Sequence, residues 1–348
     1  MIPPSPHILC PYFGTCGGCS YQHLPYAEEL RFKEEELKAL FLKEDFQITE
    51  STFLPILPSP KEYHYRHRLD ISLRKDKRRE YFFGFVSEAP KRILAIESCA
   101  IAMEQLSDFI PQLREAAIAR LPANYKIASI VAKVSEEGKI YWGGIGRKSL
   151  VQKPEDYLFT EVEGQKIYFS LSTFFQANFS ILSPLYKKLL ELQNWNSETL
   201  FLDLYGGVGL FSILMARHIK EVWMIEEHPY SIGLAKYNQE QHQMKSWKII
   251  EGRVEDLLEN LLQKADLTNT VALVDPPRKG LHEQAANCLA QSSLKTLFYL
   301  SCHPVSLIRD LKILIQAGWQ IDKIFPCDFF PKTHHLETLV KLERWQSG

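Results

Sequence analysis

Between residues 200 and 300, five short and predominantly apolar runs recur, at 200–204, 221–226, 247–250, 271–274 and 296–300. Helical segments fill the gaps at 211–218, 230–242, 254–264 and 283–291, and another follows at 306–317. A strand that is apolar on both faces has to be covered on both faces, and helices between such strands supply the cover. The pattern therefore implies βαβ units and a mostly parallel sheet. In such sheets ligands bind beyond the carboxyl ends of the strands, so chemistry is expected in the loops that follow the runs.

The first half has a different texture. A helix is predicted over 26–44, charged on one side and carrying Leu30, Phe32, Leu37, Leu40 and Phe41. Strand-like segments follow at 69–73, 81–86 and 93–96, then a helix at 103–121, then alternating segments at 127–134, 140–145 and 157–162 that continue the sheet. This reads as an α+β domain with mainly antiparallel strands. At 348 residues two domains are expected, 1–168 and 169–348.

Each loop after a run holds polar or glycine residues of a particular kind. After the first run comes Asp203-Leu204-Tyr205-Gly206-Gly207-Val208-Gly209. The glycines allow a sharp strand-to-helix turn and a close approach to a ligand. Nicotinamide, flavin and S-adenosylmethionine sites all use such turns; Asp203 ahead of the turn tilts towards the last. The second run ends in Glu226 and Glu227, where a carboxylate can accept hydrogen bonds from a ribose diol. The fourth is followed by Asp275-Pro276-Pro277-Arg278-Lys279-Gly280, in which two prolines stiffen the loop and hold Asp275 at its start. Cys302 closes the fifth run just before a helix, where the helix N-terminus is expected to lower a thiol pKa. Glu337 lies inside the apolar segment 335–340; a buried carboxylate is costly unless paired or used.

Cys10, Cys16 and Cys19 fall within ten residues of one another, and Cys99, Cys288, Cys302 and Cys327 are scattered. An odd total without a secretion signal argues against a disulfide framework. The stretch 61–79 holds eight Lys and Arg against three acids, with Tyr63 and Tyr65 interleaved. It is either a solvated strand pair or a surface that neutralises phosphate and stacks on bases. The net charge of −1 neither favours nor excludes nucleic acid. No apolar run approaches the roughly 18–20 residues that span a bilayer, and residues 1–10 do not read as a signal peptide. A cytoplasmic protein with no membrane partner is expected, and a monomer is the default.

Together these segments resemble the RNA uridine-5 methyltransferase family, whose members act on ribosomal or transfer RNA. The resemblance covers nearly the whole chain. Its motifs are Phe174-Phe175-Gln176-Ala177-Asn178, Asp203–Gly209, Asp275–Gly280, Ser301-Cys302 with Arg309-Asp310, and His335-Leu336-Glu337-Thr338. It implies an α/β, Rossmann-like S-adenosylmethionine-dependent methyltransferase domain, preceded by an α+β domain that carries the cysteine loop. Carried over residue by residue, Cys302 is the expected nucleophile and Glu337 the general base. Gln176, Tyr205, Gly207, Gly209, Glu226 and Asp275 are the expected cofactor contacts. A subset of the family holds a [4Fe–4S] cluster with the spacing C-x5-C-x2-C and a distant fourth cysteine, and Cys10, Cys16, Cys19 and Cys99 match it. Zinc is the alternative, but it is usually held by two close pairs. Many members begin with a small β-barrel RNA-binding module, the TRAM barrel; with Cys10 almost at the start, that module is expected to be absent. Arg253 stands where an Asp or Asn is common.

The chemistry is consistent with these residues. Thiolate attack on carbon 6 of uracil makes carbon 5 nucleophilic towards a methyl donor. The related cytosine enzymes carry a second cysteine in the proline loop; its absence beside Asp275 favours uridine. Ribosomal RNA is the favoured partner and transfer RNA the alternative, with Arg66 and Arg68 expected to hold the RNA backbone. Three rivals use the same features: an exocyclic-amine methyltransferase, which needs no thiol; a non-catalytic RNA-binding protein; and a flavin or nicotinamide enzyme.

Overall fold

In the computed structural model, which describes residues 8–87, 92–146 and 148–344, Pro25 precedes the first helix, α1 (Tyr26–Leu42). The first seven residues of the N-terminal stretch read above lie outside the described residues. The buried stripe of α1 is Glu29, Lys33, Leu37 and Phe41, a strict i, i+4 series. Leu30 and Phe32, assigned above to the apolar side, fall off that stripe, and Phe32 is exposed.

The next strands are β1 (Arg68–Lys75), β2 (Tyr81–Val86) and β3 (Ile93–Ala95). Where one helix was expected over 103–121 there are two, α2 (Glu104–Asp108) and α3 (Ile110–Arg120). Pro111 stands in the first turn of the second, and its missing N–H and ring break a continuous helix there. The strands β4 (Ile127–Val134) and β5 (Ile140–Gly143) complete a five-stranded antiparallel sheet in the order β3-β2-β1-β4-β5. One face of this sheet, through Leu69, Ile71, Leu73, Ile130 and Ala132, packs on Leu106, Ile110 and Leu113.

The next segment departs from expectation. The strand β6 (Leu158–Val162) does not join that sheet; it pairs only with β7 (Gln165–Phe169), which the sequence reading did not include. Glu163 and Gly164 both take positive φ, the signature of a two-residue type I′ hairpin turn. Leu158, Val162, Ile167 and Phe169 are then buried in the core of the second sheet. The amphipathic helix α4 (Leu182–Leu192), also not anticipated, covers the same core with Leu182, Leu185, Tyr186 and Leu189.

From there the alternation read in the sequence holds. The elements are β8 (Leu200–Leu204), α5 (Leu210–Met215), β9 (Glu221–Glu226), α6 (Pro229–Gln241), β10 (Trp247–Glu251), α7 (Val254–Lys264), β11 (Thr270–Val274), α8 (Glu283–Gln291), β12 (Thr296–Ser301) and α9 (Pro304–Gln316). Two further strands, β13 (Gln320–Cys327) and β14 (Glu337–Glu343), add an antiparallel pair at one side. The sheet order is β10-β9-β8-β11-β12-β14-β13. Phe201, Leu273 and Phe298 face one core, while Leu202, Ala272 and Leu297 face the other, so the central strands are buried on both sides. The order reverses between β8 and β11, which puts the ligand crevice at their carboxyl ends.

Candidate active site

At the end of β8 the chain turns over Tyr205, whose φ of 63° is uncommon for a residue with a side chain and marks a constrained position. Gly206 N–H donates to the Ile225 carbonyl at 3.1 Å and Gly209 N–H to the Gly206 carbonyl at 2.9 Å. At Gly207, with φ 59°, open space lies where a side chain would stand, so a ligand can approach the backbone there. Gly209, with φ 88°, has the Trp247 ring against it and no room for a Cβ. The Glu226 carboxylate, at the end of β9, accepts from Gly207 N–H at 2.9 Å and from the N–H groups of Glu227 and His228 at 3.0 and 2.7 Å. Asp203 is fully buried under the turn. One of its oxygens accepts from the Ser212 N–H and hydroxyl at 3.0 and 2.5 Å, and the other has no partner among the described residues. Burial pushes the Asp203 carboxyl up to about 6.

The proline loop is held from outside. Asp310 accepts from Leu281 N–H and the Tyr299 hydroxyl, both at 2.7 Å, and pairs with Arg309, whose guanidinium donates to the carbonyls of Lys279 and Leu281. Ser306 donates to the Arg278 carbonyl at 3.0 Å. The start of α9 thus fixes the loop that bears Asp275, and Gln176 donates to the Asp275 carboxylate at 3.2 Å. Burial, with Asp203 nearby, lifts the Asp275 carboxyl to about 7.

Cys302 and Glu337 meet because β12 and β14 are neighbours. Ser301 pairs with Thr338 in the antiparallel register, so the residue after the first and the residue before the second lie side by side. Glu337 is buried, and one of its oxygens has no hydrogen-bond partner among the described residues. Burial holds its carboxyl well above the usual range, Asp275 raises it further and Arg278 offsets this. The Cys302 thiol is half-buried, and burial together with Glu337 and Asp275 pushes it up to about 11. The expected lowering by a helix N-terminus is therefore overridden: in an apolar setting between two carboxyl groups, the thiolate loses more solvation than the start of α9 returns. Arg278 is the cation that lowers the thiol. Its guanidinium lies 3.5 Å from both ring nitrogens of His335, a motif residue assigned no role from the sequence. Burial and the charges of His334, Arg278 and Arg66 press that imidazole down to about 4.

Of the expected RNA contacts, Arg66 hydrogen-bonds the Arg68 carbonyl at 3.0 Å, and Arg68 pairs with Asp70 at 2.6 Å. Further along the basic stretch, Arg74, Lys77, Arg78 and Arg79 form no ion pair among the described residues. The four expected metal-ligating cysteines, Cys10, Cys16, Cys19 and Cys99, line one cavity of about 320 Å³ together with Gly17, Gly18, Gln22 and Arg66. None of the four is in a disulfide. They are not drawn into a single-ion site: among the described residues no group of three or more His, Cys, Asp or Glu could hold a metal ion. Gln22 accepts from Cys10 N–H at 3.1 Å, while its buried amide nitrogen has no partner among the described residues. No helix among the described residues is long and apolar enough to cross a membrane.

A glycine turn over a buried acid, a carboxylate at the end of the next strand, and this strand order make the fold that of the S-adenosylmethionine-dependent methyltransferases. The chain is 28% identical to an "uncharacterized RNA methyltransferase" of Aquifex aeolicus over 96% of this chain and 83% of that one. It is 26% identical to a protein of the same description from Clostridium tetani, over 99% and 85%. Its fold superposes on the crystal structure of the Pyrococcus abyssi tRNA (uracil-54, C5)-methyltransferase in complex with S-adenosyl-L-homocysteine, with a TM-score of 0.72, 22% identity, and coverage of 94% and 86% of the two chains. The profile of the tRNA (uracil-5-)-methyltransferase family matches residues 144–345, more than half of the chain. The chain belongs to that family and is an RNA methyltransferase.

Proposed function

We propose that this enzyme methylates carbon 5 of a uridine in RNA through a covalent bond between Cys302 and carbon 6, with ribosomal RNA as the favoured substrate. The observation that carries the reading is the side-by-side placement of Cys302 and Glu337 across β12 and β14, with Asp275 and Arg278 at the same place. The Cys302 thiol gives its proton to solvent, and its sulfur bonds to carbon 6. The electron pair of the ring double bond moves onto the carbonyl at position 4. S-adenosylmethionine would supply a methyl group on a sulfonium: carbon 5 takes it as the methyl–sulfur bond breaks, and that bond's electron pair stays on the cofactor sulfur, which leaves as a neutral thioether. The Glu337 carboxylate removes the remaining proton from carbon 5, the double bond reforms, and the bond to sulfur breaks. Asp275 and Gln176 border the base, Glu226 holds the ribose, and Tyr205, Gly207 and Gly209 shape the cradle.

The target base has to leave its stack to reach this pocket. Arg66 stands beside the motif that carries Gln176, bridged to Asn178, so it and Arg68 are suited to hold phosphates next to the pocket. The division of labour is read as 1–168 for the cysteine loop and the RNA-facing sheet and 169–348 for the methyl transfer, except that the β6–β7 hairpin packs on the second core. Cys10, Cys16, Cys19 and Cys99 would hold a [4Fe–4S] cluster. The four share one cavity, and three cysteines close in sequence with one distant suit a cluster better than the two close pairs usual for zinc. The Gln22 amide, in the same cavity, lowers the Cys19 thiol against the burial that raises it. Transfer RNA remains the second reading, favoured by the description of the matching family.

The test is anaerobic purification and incubation with tritiated-methyl cofactor and total RNA from a strain lacking the gene, for wild type and Cys302→Ala. Label in 5-methyluridine from wild type alone is expected, and fractionating the RNA separates ribosomal from transfer RNA. Label on cytidine or adenosine, or an active Cys302→Ala, would overturn the reading.

A further inference from the structure

The segment between β13 and β14 brings His335 to Arg278 and leads into Glu337 beside Cys302, and its backbone is held from four distant places. The carbonyl of Phe329 accepts from the Asn178 amide at 3.2 Å, and that of Phe330 from the Lys33 ammonium at 3.2 Å. The carbonyl of Pro331 accepts from the Tyr65 hydroxyl at 3.0 Å, and that of Lys332 from the N–H groups of Ser20 and Tyr21 at 2.8 and 3.0 Å. Four consecutive carbonyls are thereby tied. The side chains add a charged lock. Lys33 pairs with Asp328 and with Glu29, both at 2.8 Å, and Tyr26 donates to the other Asp328 oxygen at 2.9 Å. Glu29 also accepts from the Lys332 N–H at 2.6 Å, and the Lys332 ammonium lies 3.4 Å from Glu29 and 2.9 Å from Glu62. Glu29, Lys33, Asp328 and Lys332 are at most 1% exposed. Lys332 takes a φ of 67°, a conformation that persists only where the surroundings enforce it.

Buried ion pairs are a poor source of net stability, because desolvation offsets the attraction. An apolar seam, which α1 already has at Leu37 and Phe41, would bind the helix as well. What directional charges add is one fixed position for the partner. The partner here is the segment that ends, five residues after Lys332, in Glu337.

We propose that Glu29, Lys33, Asp328 and Lys332 are positioning residues for the methylation reaction: they lock the β13–β14 segment so that the Glu337 carboxylate stands at the proton it removes. The proposal rests on the covalent scheme above. Bond formation by Cys302 and methyl transfer precede the step that needs Glu337. Loosening the lock therefore stalls the enzyme late, with RNA still attached to Cys302.

The experiment compares wild type, Lys33→Met, Asp328→Asn and the double variant. Readouts are kcat, S-adenosylmethionine affinity by equilibrium dialysis, melting temperature, and RNA–protein adduct on denaturing gels. The single variants are expected to lose about tenfold or more in kcat while binding the cofactor within about twofold of wild type, and to accumulate adduct. Lys33→Met leaves Asp328 without its cation, Asp328→Asn leaves Lys33 with Glu29 as its one remaining carboxylate, and each lowers the melting temperature. The double change removes both charges, so it should recover stability yet still accumulate adduct. If the single variants do not fold, the double variant decides. Wild-type kcat in a folded variant, or a joint loss of cofactor binding and adduct, would overturn the proposal. Failure of wild type itself to form adduct and 5-methyluridine would instead sink the covalent scheme, and the proposal with it.

Discussion

At the scale of residues, three acidic groups share one small space, and each is harder to ionise than in water. Burial raises Glu337, lifts Asp275 to about 7 and lifts the Cys302 thiol to about 11. In the proposed scheme Cys302 and Glu337 both work only when deprotonated, and both are held above their ordinary pKa, so the active fraction grows with pH. We expect kcat to rise between pH 7 and roughly 8.5; a profile that is flat or falls over that range in single-turnover assays would contradict the assignment. Asp275 also couples to stability. Its native pKa lies above the unfolded value, so its contribution is full below about 3.8 and is lost as pH rises towards 7. Asp275→Asn should then stabilise the protein at pH 8 by on the order of 1–2 kcal/mol, allowing for partial screening, and by almost nothing near pH 4, at the cost of activity. Denaturant titrations at the two pH values check this.

At the scale of elements, the site depends on how strands end. The β8–α5 turn can approach a cofactor only because Gly207 and Gly209 take positive φ and the Trp247 ring fills the space beside the second. Gly209→Ala would add a methyl group against that ring in a left-handed conformation. A loss of roughly 1–3 kcal/mol in stability is expected, together with weaker cofactor binding, both measurable by calorimetry. Unchanged values would mean that the turn tolerates a side chain and that the close approach is not needed. The elements that the sequence hid are those whose burial is decided elsewhere. The strand β6 follows its hairpin turn onto the catalytic core instead of extending the first sheet, and β13 is recognisable as a strand only once β14 lies beside it.

At the scale of the whole molecule, the two ends of the chain are fastened together. The residues just after Cys19 bind the Lys332 carbonyl, and α1 lies against the segment ahead of Glu337. The cysteine loop is thus tied by backbone hydrogen bonds to the segment that precedes Glu337. If the four cysteines hold a [4Fe–4S] cluster, anaerobically purified protein should contain about four iron and four sulfide per chain and show a broad visible absorbance. Cys99→Ser should lower the iron content and the melting temperature together. Stoichiometric zinc with no sulfide would replace that assignment with a single-ion site.

The sequence by itself determined the parallel sheet and its strand-end loops, and it singled out Gln176, Asp275, Cys302 and Glu337, which the fold brings together. Apolar periodicity and glycine or proline placement are local properties, and local physics writes them directly into the chain. It also carried one unread sign: an i, i+4 pair of opposite charges, Glu29 and Lys33, continuing the stripe that Leu37 and Phe41 occupy. Only the tertiary structure decided the rest. The pairing of β12 with β14 sets Cys302 beside Glu337, and burial between two carboxyl groups drives the thiol up where a helix terminus alone would bring it down. His335 and Arg278 meet from segments 57 residues apart. The charge on a group depends on every neighbour that desolvates or faces it, and those neighbours are assembled by the fold from positions that no local pattern connects.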